Sequence, residues 1–142
     1  MPAILTDKAF NPWDEIQAYQ AANLQPGQTG ATACFVGTMR DFNISEDISR
    51  MTLEHYPAMT QRFLDRLCDE TVQQFELNDC LVIHRFGEIR VGEPIVLTTA
   101  WSAHRKQAFA ACRHLIEELK KHAPFWKKET TEKGERWVHN DQ

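Results

Sequence analysis

The sequence predicts an α+β domain. Two stretches carry the spacing of amphipathic helices: Met59, Phe63, Leu67 and Phe75 within Pro57–Phe75, and Ala108, Cys112, Leu115, Ile116 and Leu119 after Ser102. Around them lie β-rich runs bounded by Gly, Pro and Asn. Their order is not the regular strand-helix alternation that builds a doubly wound parallel sheet, so an antiparallel or mixed sheet with two long helices is expected. At 142 residues the chain fits a single domain, 1–142, long enough to bury a core.

Ala3–Thr6 reads as a short first strand. Asn11-Pro12 supplies an N-cap and a proline at the first helical position, with Asp14 and Glu15 in the first turn, for a helix reaching about Leu24. Pro26-Gly27 and Gly30 end it. Residues 31–39 (ATACFVGTM) read as a core strand. Residues 40–47 (RDFNISED) show neither period and read as an exposed loop, opening on an arginine placed to close over a ligand. Residues 49–56 alternate as a strand, and Pro57 opens the clearest helix. Residues 80–89 (CLVIHRFGEI) and 94–103 (PIVLTTAWSA) read as two strands joined tightly across Arg90-Val91-Gly92-Glu93. Ser102 is placed to cap the second long helix. His104 and Arg105 then fall in its first turn, where free backbone N–H groups favour an anion. Residues 126–131 and 135–140 form a C-terminal hairpin about Glu132-Lys133-Gly134.

The formal net charge of −4 argues against general nucleic-acid affinity, but the charge is uneven. From Trp101 onward nine basic residues face six acidic ones, against seven and fourteen before it. Such a local basic character suits a small anion or an acidic tail better than a polymer of phosphates. No apolar run approaches a membrane span, and MPAILTDKAFNPW lacks the basic start and apolar centre of a signal peptide, so a cytoplasmic location away from membranes is expected. Cys34, Cys68, Cys80 and Cys112 form no CxxC pair and read as structural thiols. The six histidines show no i, i+4 pairing, and nucleophile-elbow, zincin, phosphate-loop and dinucleotide fingerprints are absent. Neither a metal nor a cofactor is expected. His55 and His84, in strands, read as structural.

The chemistry-bearing stretch is LKKHAPFWKKETTEKGERW, residues 119–137. Lys120, Lys121, Lys127 and Lys128 bracket Ala123-Pro124-Phe125-Trp126 before any carboxylate intervenes. Pro124 must stop the helix and restart the chain as something extended. The two lysine pairs then sit on different elements and can converge on one anion, with Phe125 and Trp126 as the floor. The plainer alternative is a solvated helix end whose lysines complement the helix dipole.

Five blocks carry a family resemblance: TLEHYPAMT (52–60), VIHRFGEI (82–89), SAHR (102–105), LKKHAPFWKKE (119–129) and GERWV (134–138). In order and spacing they resemble the large, catalytic subunit of molybdopterin synthase, over about residues 31–138. The resemblance implies an α+β fold containing an α/β hammerhead, and a homodimer that forms the core of a heterotetramer. One ubiquitin-like small subunit docks at each end, its C-terminal Gly-Gly carrying a thiocarboxylate. Its tail is implied to thread into a pocket and give sulfur to cyclic pyranopterin monophosphate, two transfers making the dithiolene of molybdopterin.

The family's two essential lysines fall on Lys120 and Lys127. Its substrate-contacting segments fall on Thr38-Met39-Arg40, His104-Arg105 and Lys127-Lys128-Glu129. Many relatives carry lysine where Thr38 stands. The resemblance implies that Arg40, His104 and Arg105 hold phosphate and pterin. It places Lys120 against the thiocarboxylate tail, and has Lys127 stabilise charge or move protons as the cyclic phosphate opens. Arg136 is a candidate for completing the other subunit's pocket. The alternative from another class is a non-catalytic module that binds an anion or an acidic partner.

Overall fold

The computed structural model describes residues 2–43, 46–131 and 134–138. They form two sheets and three helices. The first sheet has the order β1 (Ala3–Thr6), β5 (Asp79–Arg85), β7 (Pro94–Ser102), β2 (Ala31–Thr38). β1 runs parallel to β5 and the other neighbours are antiparallel. In the second sheet β4 (Glu46–His55) pairs on one side with β8 (Phe125–Thr131). On the other it pairs with β3 (Phe42–Asn43) and β6 (Gly87–Arg90), and β9 (Gly134–Val138) closes the far edge against β8.

The first sheet is covered on both faces, which is why β5 and β7 are apolar almost without alternation. Helix α1 (Pro12–Asn23) lies over Leu81, Ile83, Leu97 and Trp101 with Ile16 and Tyr19. The Asn11 side chain caps it, accepting from the Trp13 and Asp14 amides as its sequence requires. Helices α2 (Pro57–Phe75) and α3 (Arg105–His122) cover the opposite face, burying Leu64, Leu67, Cys68, Ala111, Cys112, Leu115 and Leu119. Each of the larger of these side chains contributes about 1.5–3 kcal/mol by leaving water.

Three expectations need correction. The stretch 80–89 is not one strand: β5 ends at Arg85 and β6 starts at Gly87 in the other sheet. Gly87 has φ of +80°, a left-handed turn that an L side chain resists and that lets the chain change sheets. Part of the stretch 40–47 is strand, because Phe42 and Asn43 pair with Asp47 and Glu46. Ser102 does not cap α3. It closes β7, its hydroxyl donates to the His104 carbonyl, and His104 is the cap residue, without a side-chain cap bond. The C-terminal hairpin forms with Thr131 opposite Gly134, whereas Glu132, Lys133, His139 and Asn140 lie outside the described residues.

Candidate active site

Three elements converge on one place. β2 runs out at Thr38 and is followed by Arg40, Lys120 lies in the last turn of α3, and Lys127 is the third residue of β8. Thr38, Arg40, Lys120 and Lys127 all line a cavity of about 440 Å³, whose apolar wall includes Val96, Leu119, Ile116 and Phe125. Pro124 makes this possible. It ends α3 at His122, Ala123 turns extended with ψ of 134°, and β8 returns Lys127 towards the helix end it has just left.

Alternation along β8 then sorts the side chains. Phe125 and Glu129 are buried, and Phe125 and Lys127 line the cavity. Trp126 faces the other way, 43% exposed and edge-on to Tyr56, so the floor expected of Phe125 and Trp126 is Phe125 with His84 instead. Beneath Lys127 the buried Glu129 carboxylate accepts from Arg136, with Nη2 at 3.2 Å and Nε at 3.3 Å, and lies 4.0 Å from the Lys127 ammonium.

The cations act on one another. Burial lowers the pKa of Lys120 below the ordinary lysine value, and the charges of Lys127 and Arg40 lower it further. Lys120 still presents surface to solvent, but its ammonium is desolvated enough for burial to be the leading cause. Lys127 is likewise lowered, first by burial and then by Arg40, while the Glu129 carboxylate pulls the other way.

His84 is buried on the same wall, and its pKa is pushed down to about 4, first by burial, with the charges of Lys120 and His55 also disfavouring the cation. The ring is therefore neutral near pH 7. Its Nδ1 lies 2.8 Å from the Arg85 carbonyl oxygen, which can only accept, so Nδ1 carries the proton and Nε2 is left with the lone pair. A structural His84, as its strand position predicts, agrees with this burial and backbone bond. Its register two residues after Val82 and four after Cys80, on the face under the helices, was the signal that could have placed it here.

Other expected residues go elsewhere in the single chain. Met39 is buried in the core between Thr38 and Arg40. His104 and Arg105 are exposed at the opposite end of α3, roughly 22 Å from Lys120 along the helix. Lys128 lies off the cavity, 3.6 Å from Glu135 and over the Trp137 ring. Among the described residues all four cysteines are free, and no group of His, Cys, Asp or Glu could hold a metal ion.

The fold and this cavity define an α+β protein that gathers two lysines and an arginine around one small cavity. The sequence model described as MoaE protein matches residues 6–122, which includes Arg40, His84 and Lys120 but stops short of Lys127. The chain is 47% identical to a molybdopterin synthase catalytic subunit of Ralstonia nicotianae, over 97% of this chain and 77% of that one. It superposes on a molybdopterin biosynthesis MoaE protein from Burkholderia ambifaria with a TM-score of 0.81 and 38% identity, covering 99% of this chain and 90% of that one. At 20% identity it shares its fold, with a TM-score of 0.80, with a chain in a complex of subunits 1 and 2 of the molybdopterin-converting factor from Helicobacter pylori, covering 97% and 90%. The chain belongs to the MoaE family, the catalytic subunits of molybdopterin synthase.

Proposed function

We propose that this chain transfers sulfur in molybdenum cofactor biosynthesis, converting cyclic pyranopterin monophosphate to molybdopterin. The sulfur comes from the C-terminal thiocarboxylate of a ubiquitin-like small subunit. The observation that carries this reading is the convergence of Arg40, Lys120 and Lys127 on one cavity with an apolar wall. A cyclic phosphate and a thiocarboxylate are both anions. Holding them about 4 Å apart costs about 4 kcal/mol at an effective dielectric near 20, and cations at that spot offset it.

In this reading Lys120 contacts the thiocarboxylate tail, and Lys127, with its lowered pKa, neutralises charge or moves a proton as the cyclic phosphate opens. Arg40 holds the phosphate with Thr38 beside it, while Glu129 fixes Lys127 from below. His104 and Arg105, too far along α3 to join their own cavity, would act on the substrate from the second protomer of a homodimer, and Arg136 and Lys128 would face that interface. The reaction takes place in the cytoplasm. No helix among the described residues is long and apolar enough to cross a membrane.

The test is reconstitution. The full chain, a thiocarboxylated small subunit and cyclic pyranopterin monophosphate are mixed, and molybdopterin is followed through the fluorescence of its oxidised derivative. Product formation supports the synthase. Tight binding of the small subunit without product would leave a scaffold, and no binding at all would leave an anion-binding module.

A further inference from the structure

Arg40 stands one residue beyond a segment whose backbone is tied to the β6–β7 connection. The Met39 amide donates to the Glu93 carbonyl at 3.0 Å, and the Gly92 amide donates back to the Met39 carbonyl at 2.9 Å. That connection is itself held by an ion pair between a buried guanidinium and a partly exposed carboxylate. Arg85, 4% exposed, reaches Glu93 Oε1 with Nη1 at 3.1 Å and donates from Nη2 to the Glu88 carbonyl at 2.9 Å. The same Glu93 oxygen accepts the Arg90 amide at 2.7 Å, closing the turn on itself. The regular β2–β7 register also slips between Gly37 and Thr38, so sheet pairing alone does not place the residues that follow. Meanwhile the Arg85 carbonyl fixes the His84 ring on the cavity wall.

We propose that Arg85 and Glu93 are positioning residues: their ion pair clamps residues 90–93, these hold Met39, and Met39 aims Arg40 into the anion cavity. A buried guanidinium is otherwise costly, and removing one partner of such a pair leaves an uncompensated charge, so its geometry is held tightly. The fork is what the clamp needs, because one planar group spans a carboxylate and a carbonyl at once. A lysine at position 85 keeps the charge but not the span. This inference rests on the proposed anion site for its functional consequence, and on hydrogen bonds alone for the clamp itself.

The experiment has two arms, both on the full chain with Arg85→Lys and, as a milder change, Glu93→Gln. In the first, amide hydrogen exchange is followed at Met39 and Gly92. Exchange at both rises by roughly tenfold while the amides of β5 stay protected. Unchanged exchange at Met39 in both variants overturns the clamp. In the second, the reconstituted complex is assayed for KM of the pterin substrate and for competition by inorganic pyrophosphate. Each variant raises KM and the pyrophosphate inhibition constant by roughly fivefold in the Arg40 background and by less than twofold once Arg40→Ala is present. Effects that multiply in full with Arg40→Ala show that Arg85 and Glu93 act on stability alone and overturn the proposal. The exchange arm needs no turnover, so a wild-type chain that transferred no sulfur would sink the functional reading while the clamp was still tested.

Discussion

The imidazole of His84 lies flat against the ring of Phe125, with centroids 4.0 Å apart and planes 16° from parallel. This stack joins β5 of the first sheet to β8 of the second directly beneath the lysine cavity, and it holds a histidine neutral among cations. Because its pKa falls from 6.5 to about 4 on folding, the unfolded chain binds a proton between those values that the folded chain refuses. Stability therefore rises with pH from about 4 to about 6.5 and is fully present above that, a contribution of about 3 kcal/mol. Urea unfolding of wild type and His84→Gln across this window checks it. The wild-type slope is the steeper, and equal slopes would remove His84 from the account.

Lys127 and Glu129 make a second prediction. The Glu129 carboxylate favours the charged Lys127 ammonium against burial and Arg40. Glu129→Gln removes it, so the pKa of Lys127 drops further and the alkaline limb of sulfur transfer moves to lower pH. Binding of pyrophosphate weakens over the same range, because the cation is lost as pH rises through its lowered pKa. A pH profile of single-turnover rates reads this shift directly, and an unmoved alkaline limb would contradict it.

In the proposed reaction the sulfur arrives on the partner, so no cysteine is expected to take part. Cys68, Cys80 and Cys112 are buried and Cys34 is exposed on β2, away from Lys120 and Lys127. Cys34→Ser keeps the full single-turnover rate. Replacing all four costs stability through the buried sites but leaves the chemical step of the folded fraction intact. Loss of turnover in a folded variant would contradict this.

Gly87 is where the chain leaves the first sheet for the second. Space is not the obstacle to a side chain there, since the nearest atom to an added Cβ is Asp7 Cβ at 3.8 Å. The positive φ is, so Gly87→Ala destabilises by about 1 kcal/mol, measurable as a lower urea midpoint with unchanged slope.

The helices were legible because their signals are local. Pro57, the Met59 to Phe75 stripe and the Asn11-Pro12 cap each act within a turn or two of themselves, and the observed bounds follow them. Sheet membership was not. CLVIHRFGEI reads as one strand, and only tertiary pairing, with β5 against β7 and β6 against β4, shows that Phe86-Gly87 divides it. In the candidate site, Pro124 made the convergence of Lys120 and Lys127 readable. The direction of Trp126 depended on which face of β8 was covered, which a charge pattern does not encode. His84, read as structural, is buried and neutral as that reading requires, and its place on the cavity wall could not be read for the same reason: it depends on which strands and helices pack beside β5.

The most direct test of the account is single-turnover sulfur transfer by Lys120→Ala in the complex with the thiocarboxylated small subunit. Lys120 is on the surface of α3 at its last turn, so the variant folds, and its binding of the small subunit is measured alongside the rate. The expected rate is at least about a hundredfold lower, with Lys127→Ala similarly impaired. A full single-turnover rate in Lys120→Ala would contradict it.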